Sequence, residues 1–328
     1  MKYRLLGKTN FKVSEIGLGT WQVGGKWGSV FDENLGSKIL NEAANQGINF
    51  IDTADVYSNG ESEKAIGRFL KTRSEHFFVA TKCGRQLNPH TSEAYQTAIL
   101  RKFVESSLKN LGVETIDLIQ LHCPPTEVFY RPEIFDFFDI LKKEGKILNL
   151  GISVEKIEEA LKGIEFENVA SVQIIFNMLR QRPSELFFEQ ARKKNIGIIA
   201  RVPLASGLLT GTYSGETNFD VGDHRSFNRN GEMFDKGETF SGIPFPIGLN
   251  VVNELKEVFE NNTNLAIIAL RWILMFEEVS CVIPGASSPE QIKNNVSAIH
   301  LPSITEAQMQ KVKDIYLAHF KNTIHQWW

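Results

Sequence analysis

The chain has 328 residues, with 36 Lys and Arg against 39 Asp and Glu and a formal net charge of −3. No basic surplus points to nucleic acid, and no block of like charge forms an interaction tail. Hydrophobic content of 42% supports a sizeable core, and the length fits one large α/β barrel or two ordinary domains.

The N-terminal "MKYRLLGKTNFKVS" has no signal-peptide apolar region, and no segment offers the roughly 18 uninterrupted apolar residues of a membrane span. Cys83, Cys123 and Cys281 are odd in number and spaced for neither zinc nor a disulfide framework. The plain expectation is a cytoplasmic protein with no metal, no membrane and no nucleic-acid partner. The sequons at Asn261 and Asn295 are then accidental.

In chain order, "KYRLLG" and "FKVSEI", separated by "KTN", predict a short hairpin. Eight apolar runs follow: "VSEIGLGT", "INFIDTA", "HFFVATKC", "TIDLIQLH", "ILNLGIS", "ASVQIIF", "IGIIARVPL" and "SCVIPGA". Between them lie stretches with helical spacing, including "ENLGSKILNEAANQG", "YQTAILRKFVESSLKNLG", "PEIFDFFDILKKEGK" and "PSELFFEQARKKN". Gly47, Gly112 and Gly145 stand where a helix-terminating glycine belongs, and Pro132 and Pro289 suit a first turn. Eight strands joined by helical crossovers predict a parallel sheet, and that number predicts a (β/α)8 TIM barrel, a single domain over 1–328. The longest interruption, Ser206 to Ile247, is read as a functional or mobile loop. "ITEAQMQKVKDIYLAHF" predicts an extra C-terminal helix before the tail "HQWW".

The C-terminal ends of barrel strands line active sites. Here they carry Asp52 with Tyr57 past the turn, then Lys82, His122, Ser153, and Gln173 with Asn177. Each has an ordinary reading by itself. Asp52 would be a cap or ion pair, Lys82 a solvated amine, His122 a structural imidazole and Tyr57 packing with a wet hydroxyl. Four such groups at the ends of three consecutive strands would instead converge on one mouth. Asp55 is read as facing solvent.

"GTWQVGG", "GINFIDTADVYSNGESEKAIGRFL", "VATKCG", "IDLIQLHCPP", "GISV" and "VIPGASSPEQIKNNVSA" together resemble the aldo-keto reductase family, in motif order and over nearly the whole chain. The resemblance implies a (β/α)8 barrel that reduces aldehydes and ketones with NADPH, without metal or flavin. It also implies a catalytic tetrad of Asp52, Tyr57, Lys82 and His122.

The chemistry explains why such residues would be needed. Hydride transfer to a carbonyl leaves negative charge on oxygen, which must be stabilised and protonated. Tyrosine can do both, but its ordinary pKa of about 10 makes it a weak acid near neutrality. A neighbouring ammonium favours the phenolate, which is the role for Lys82. Asp52 would balance Lys82 in a pocket where a lone cation is costly, and a neutral His122 would donate a hydrogen bond to the carbonyl oxygen.

For the cofactor, no G-x-G-x-x-G or P-loop follows a strand. The resemblance implies NADP(H), with Ser153 and Gln173 on the nicotinamide carboxamide and Gly19, Thr20 and Trp21 at the first strand's mouth. Val154 stands where the family often has asparagine, and Arg201 where many members stack an aromatic on the nicotinamide. "LASGLLTG", with Leu204, Ser206, Gly207 and Leu209, resembles the pyrophosphate loop. "PGASSPEQIKNN" resembles the adenosine end, with Gly285, Ser287, Gln291, Asn294 and Asn295 as contacts and Pro289 opening a helix toward phosphate. The serine–glutamine pair is similar to the branch containing potassium-channel β subunits and bacterial relatives. An ordinary final barrel helix would also explain those serines. "DHRSFNRN" either closes over a ligand or is solvated, Trp21 and Trp27 are candidate pocket aromatics, and Trp327 and Trp328 are expected to staple the last helix to the barrel.

The leading reading is an NADPH-dependent aldehyde or ketone reductase acting on a small-molecule carbonyl. The alternatives are a cofactor-binding regulatory subunit and a barrel isomerase with a phosphate grip.

Overall fold

A computed structural model describes residues 1–25, 30–260 and 264–328. Trp27 and the Asn261 sequon lie outside the described residues. The hairpin forms from β1 (Tyr3–Leu5) and β2 (Lys12–Ser14), antiparallel with Arg4 opposite Val13. Eight strands then pair in parallel in chain order: β3 (Leu18–Gly19), β4 (Phe50–Asp52), β5 (Phe78–Cys83), β6 (Ile116–His122), β7 (Ile147–Ser153), β8 (Val169–Ile175), β9 (Gly197–Arg201) and β10 (Val279–Val282). The sheet closes on itself. Parallel bridges join Ile16 to Val282 and Gly19 to Gly285, and Gly17 N–H donates to the Val282 carbonyl at 2.9 Å. This is the (β/α)8 fold expected from eight strand–helix units.

The crossovers are helical, and their ends follow the local chemistry. α1 (Glu33–Asn45) is capped by Asp32, which accepts the Leu35 N–H. α2 (Glu61–Leu70) and α3 (Thr97–Leu111) follow, and Gly112 ends α3 in the left-handed conformation. α4 (Pro132–Lys143) starts at its proline, and α5 (Ile157–Gly163) and α6 (Phe187–Lys193) are short. α6 is shorter than the helical spacing suggested, because Pro183 diverts its first residues into a 3-10 turn at Arg182–Ser184. The long connection after β9 carries one turn of helix, α7 (His224–Phe227), before α8 (Phe245–Val258) and α9 (Leu265–Leu274). α10 (Pro289–Ser297) is capped by Ser288, and α11 (Glu306–Phe320) is the extra C-terminal helix. None of the described helices is long and apolar enough to cross a membrane.

Strand parity sorts the interior into layers. Phe50 and Asp52 share a face, as do Ala80 and Lys82, Leu118, Gln120 and His122, and Ile199 and Arg201. The apolar members Phe50, Ala80, Leu118 and Ile199 pack with Leu6, Val13, Cys281 and Ile283 in one buried cluster inside the barrel. Leu6 and Val13 come from the hairpin and close the barrel's floor. Leu6 fits there because Gly197 has no side chain: a Cβ at that position would run into Leu6. The polar members form the layer above, toward the C-terminal ends of the strands. A second, larger cluster fills the space between strands and helices.

Candidate active site

Four buried polar side chains make the layer above the apolar plug. Lys82 Nζ donates to Asp52 Oδ1 at 2.5 Å and to the Thr53 carbonyl at 2.7 Å. The other carboxylate oxygen, Oδ2, accepts from Gln120 Nε2 at 3.1 Å and Gln173 Nε2 at 2.7 Å. Both oxygens are therefore satisfied away from water, as a buried carboxylate requires. Gln120 fits because β7 has Gly151 beside it, where a Cβ would press on Ser171 Oγ and lie 3.2 Å from Gln120 Cγ.

Tyr57 reaches the same ammonium from a tight turn after β4. Ser58 and Asn59 have φ of 48° and 54° and Gly60 has φ of 85°, which folds the chain back before α2 starts. The Tyr57 hydroxyl lies 3.4 Å from Lys82 Nζ, and that nitrogen sits 5.0 Å from the Tyr57 ring centroid. His122 turns edge-on to Tyr57 at 6.1 Å, and Trp21 stacks over it at 6.3 Å. The structure thus brings Asp52, Tyr57, Lys82 and His122 together.

The electrostatics follow from burial and neighbours. Burial raises the Tyr57 pKa above the usual phenol value, and the opposing pull of Lys82 does not cancel it, so Tyr57 is protonated at neutral pH. Burial works against the Lys82 charge, but Asp52 and Tyr57 outweigh it and leave the ammonium more firmly protonated than in water. Burial and the cations Arg85, Lys82 and Arg201 hold His122 well below the ordinary imidazole value. The imidazole is neutral, and its buried Nδ1 has no hydrogen-bond partner.

Asp55 corrects the expectation of a solvent-facing carboxylate. It is 4% exposed, and neither oxygen has a hydrogen-bond partner. Burial, with Glu63 nearby, pushes its pKa up to about 8, so it carries a proton at neutrality. Glu63 itself is held by Thr81 Oγ1 at 2.6 Å and Asn110 Nδ2 at 2.9 Å.

A second charged group, not anticipated from the sequence, sits beside the tetrad. Arg201 Nη2 lies 2.9 Å from Glu155 Oε2, and Arg85 Nη1 lies 3.0 Å from Glu238 Oε1. Cross distances of 4.0 Å (Arg85–Glu155) and 3.9 Å (Arg201–Glu238) tie the four into one cluster. Cys123 Sγ joins the two carboxyls within 4.8 Å, but guanidinium already meets their charge. Arg85 follows "TKCG" directly, so its place at a strand end was readable, whereas Glu238 comes from the long connection.

That connection roofs the mouth. His224 lies 5.0 Å and Phe234 6.1 Å from the Trp21 ring, and Ser206 Oγ bridges the Glu238 carbonyl and the Phe240 N–H. Trp328 holds it from outside. Its indole donates to Asp235 Oδ1 at 2.8 Å, lies 4.6 Å from the Arg180 guanidinium, and fills space that side chains at Gly237 or Gly242 would take. Trp328 therefore staples the long connection, not the last helix alone as expected, and Trp327 is half exposed.

The residues expected to hold a cofactor all lie on this end of the barrel. Gly19 and Gly285 face each other across the barrel seam, and Thr20 Oγ1 donates to the Asp52 carbonyl. Ser153 is buried beside Cys123, while the Gln173 amide nitrogen is engaged by Asp52 and Gln120. Arg201 is paired with Glu155, and its buried Nε has no partner. Leu204, Ser206, Gly207 and Leu209 form a kinked 3-10 turn. Ser287 donates its N–H and hydroxyl to Gln291 Oε1, Asn295 is tied to the Gly285 carbonyl, and Asn294 is exposed. Gly19, Gly207 and Gly285 bring no side chain to this end of the barrel, buried polar atoms beside Tyr57 lack partners, and α10 opens with its N-terminus there, features compatible with a phosphate-bearing ligand.

Comparison with known proteins identifies the family. The Aldo/keto reductase family matches residues 15–317. "Uncharacterized oxidoreductase YqkF" of Bacillus subtilis is 30% identical, over 97% of this chain and 99% of that protein. The "NADH-specific methylglyoxal reductase" of Escherichia coli is 28% identical, over 92% of this chain and 94% of that protein. Among solved structures, the holo form of aldo-keto reductase AKR11C1 from Bacillus halodurans superposes with a TM-score of 0.79 at 27% identity, covering 99% of each chain. The chain belongs to the aldo/keto reductase family.

Proposed function

We propose that this aldo/keto reductase is a cytoplasmic, NADP(H)-dependent carbonyl reductase, with Tyr57 as general acid, Lys82 as its tuning cation, Asp52 as the counter-ion and His122 as the group that orients the carbonyl. The observation that carries this reading is the single ammonium of Lys82, 2.5 Å from Asp52 and 3.4 Å from the Tyr57 hydroxyl.

A nicotinamide cofactor would supply or accept the hydride when bound. Ser153, Arg201 and the backbone at Gly19 to Trp21 would hold its end of the dinucleotide, and the 204–209 turn and the start of α10 would hold the phosphates. Tyr57, a phenol that stays protonated at neutrality, holds the proton that the nascent alkoxide takes from the phenol oxygen. Lys82, which cannot readily lose its own proton, stabilises the phenolate left behind. The neutral His122 donates an N–H to the carbonyl oxygen without competing as a base. Trp21, held by His224 and Phe234, covers one face of the Tyr57 ring.

NADP(H) is favoured over NAD(H) by the Ser287, Ser288 and Gln291 hydroxyl and amide groups at the N-terminus of α10. The relative that is NADH-specific makes this the property to measure first. The test is consumption of NADPH and of NADH against a panel of aldehydes and ketones, with Tyr57→Phe as control. Turnover lost in the variant supports the reading. Tight cofactor binding with no turnover of any carbonyl by the wild type overturns it in favour of a cofactor-binding regulatory subunit.

A further inference from the structure

Tyr57 rides on a loop, residues 54–61, whose two ends are tied by a side-chain hydrogen bond. Thr53 follows β4 directly and Ser62 lies in the first turn of α2, and their hydroxyl oxygens are 3.0 Å apart. Ser62 Oγ is also 2.9 Å from Thr20 Oγ1, and Thr20 Oγ1 is 3.0 Å from the Asp52 carbonyl oxygen. Thr20, Thr53 and Ser62 are each at most 1% exposed, so these bonds are made away from bulk water.

The hydrogens run one way along this chain. A hydroxyl has one hydrogen to give and a carbonyl has none. Thr20 therefore donates to the Asp52 carbonyl, Ser62 donates to Thr20, and Thr53 donates to Ser62. Ser62 is the middle link, accepting and donating at once.

Both ends of the chain reach the Lys82 ammonium. Asp52, whose carbonyl takes the last hydrogen, meets Lys82 Nζ with its carboxylate at 2.5 Å. Thr53, which gives the first, meets the same nitrogen with its carbonyl oxygen at 2.7 Å. Between Thr53 and Ser62 the loop carries the Tyr57 hydroxyl to 3.4 Å from that nitrogen. Such a loop needs a hold. Ser58 and Asn59 are non-glycine residues at φ of 48° and 54°, a conformation that persists only where the surroundings enforce it. Glu63, beside Ser62, gives the same helical turn a second hold by accepting from Thr81 Oγ1 of β5 at 2.6 Å.

We propose that Ser62 is a positioning residue for the reaction: its hydroxyl clasps the base of the Tyr57 loop and so sets the Tyr57–Lys82 distance on which proton transfer depends. The inference rests on the carbonyl-reductase reading of the site, in which Tyr57 is the acid, and adds the residue that holds the acid in place.

Ser62→Ala and Thr53→Val test it from the two sides of the clasp, with Leu141→Ala in the buried packing of α4 as a control for lost stability. Turnover is counted per cofactor-binding site, titrated by NADPH or NADH fluorescence, so that unfolded enzyme does not enter. Ser62→Ala should lose about 10- to 100-fold in kcat, the scale on which a small misplacement of a reacting group acts. Its KM for cofactor and carbonyl should change little, and Thr53→Val should follow it. Leu141→Ala should keep the wild-type kcat per site. In carbon NMR of labelled tyrosines, the Cζ resonance that is missing from Tyr57→Phe should move in both clasp variants and stay in place in Leu141→Ala. A wild-type kcat per site in Ser62→Ala, or a Cζ resonance that does not move, overturns the proposal. So does a loss that appears only as fewer binding sites, which is what support of the fold alone would give. Should Ser62→Ala not fold, Thr53→Val is read by the same criteria. Should the wild type reduce no carbonyl, the reductase reading fails separately, and the Cζ resonance still decides whether Ser62 holds Tyr57.

Discussion

Asp52 and Lys82, from neighbouring strands β4 and β5, meet at 2.5 Å inside the barrel with side-chain exposures of 3% and 1%. The pair is one unit of a larger arrangement, because Gln120 and Gln173 occupy the second carboxylate oxygen and Thr53 and Tyr57 share the ammonium. Removing either charge leaves the other buried and alone, which typically costs about 3–5 kcal/mol. Asp52→Asn and Lys82→Met should each lower stability in chemical denaturation by about that much. The double variant Asp52→Asn/Lys82→Met should lose less than the sum. Additive losses would mean that the two residues stabilise the fold independently.

Tyr57→Phe keeps the ring that packs beneath Trp21 and removes only the hydroxyl facing Lys82. Its melting temperature and its affinity for NADPH should stay close to wild type. Reduction should fall by at least about 100-fold, the usual scale of a lost general acid. Turnover within a few-fold of wild type would move the proton donor elsewhere.

The layered interior was legible because strand parity is a local property. In "FID", "ATK" and "LIQLH", the alternation alone puts Asp52, Lys82, Gln120 and His122 on the face that carries Phe50, Ala80 and Leu118 lower down. The partners of Arg85 and Arg201 were not legible. Glu238 reaches them from a connection whose path is set by Trp328, Gly237 and Ser206, and no periodicity encodes that path. Asp55 was misread for a related reason. A carboxylate past a strand end ordinarily meets water, and its burial depends on how the chain packs around it in three dimensions.

Asp55 gives stability a defined pH dependence. Its folded pKa of about 8 lies well above that of a carboxyl in the unfolded chain, about 3.9. The folded state therefore holds a proton that the unfolded state lacks across that window, and stability falls as pH rises through it. Urea midpoints measured from pH 5 to 9 should decline in the wild type and decline less in Asp55→Asn. Parallel slopes in the two proteins would place the ionisation elsewhere.

Gly151→Ala tests the crowding beneath the tetrad. The new methyl would press on Ser171 Oγ and lie 3.2 Å from Gln120 Cγ, so overpacking should cost about 1–3 kcal/mol and disturb the Gln120 hydrogen bond to Asp52. Ser171 Oγ is buried without a partner, so Ser171→Ala should be nearly neutral. The double variant Gly151→Ala/Ser171→Ala should recover most of the lost stability. Failure to recover would show that the Gln120 side of the contact dominates.

Trp328→Ala removes the indole that pins the long connection. A buried tryptophan truncated to alanine typically costs about 3–5 kcal/mol, but the loss here should be uneven. The indole touches Asp235, Arg180 and the glycines at 237 and 242, all remote from the inner barrel cluster. Loosening that segment frees Glu238 from Arg85 and Phe234 from Trp21, so the roof over Tyr57 should become mobile while the strands stay protected. Hydrogen exchange should therefore quicken across residues 232–242 and leave β5 and β6 unchanged, with KM for the carbonyl rising more than kcat falls. Exchange that quickens equally throughout the barrel would mean that Trp328 supports the fold as a whole and does not act selectively on the roof of the site.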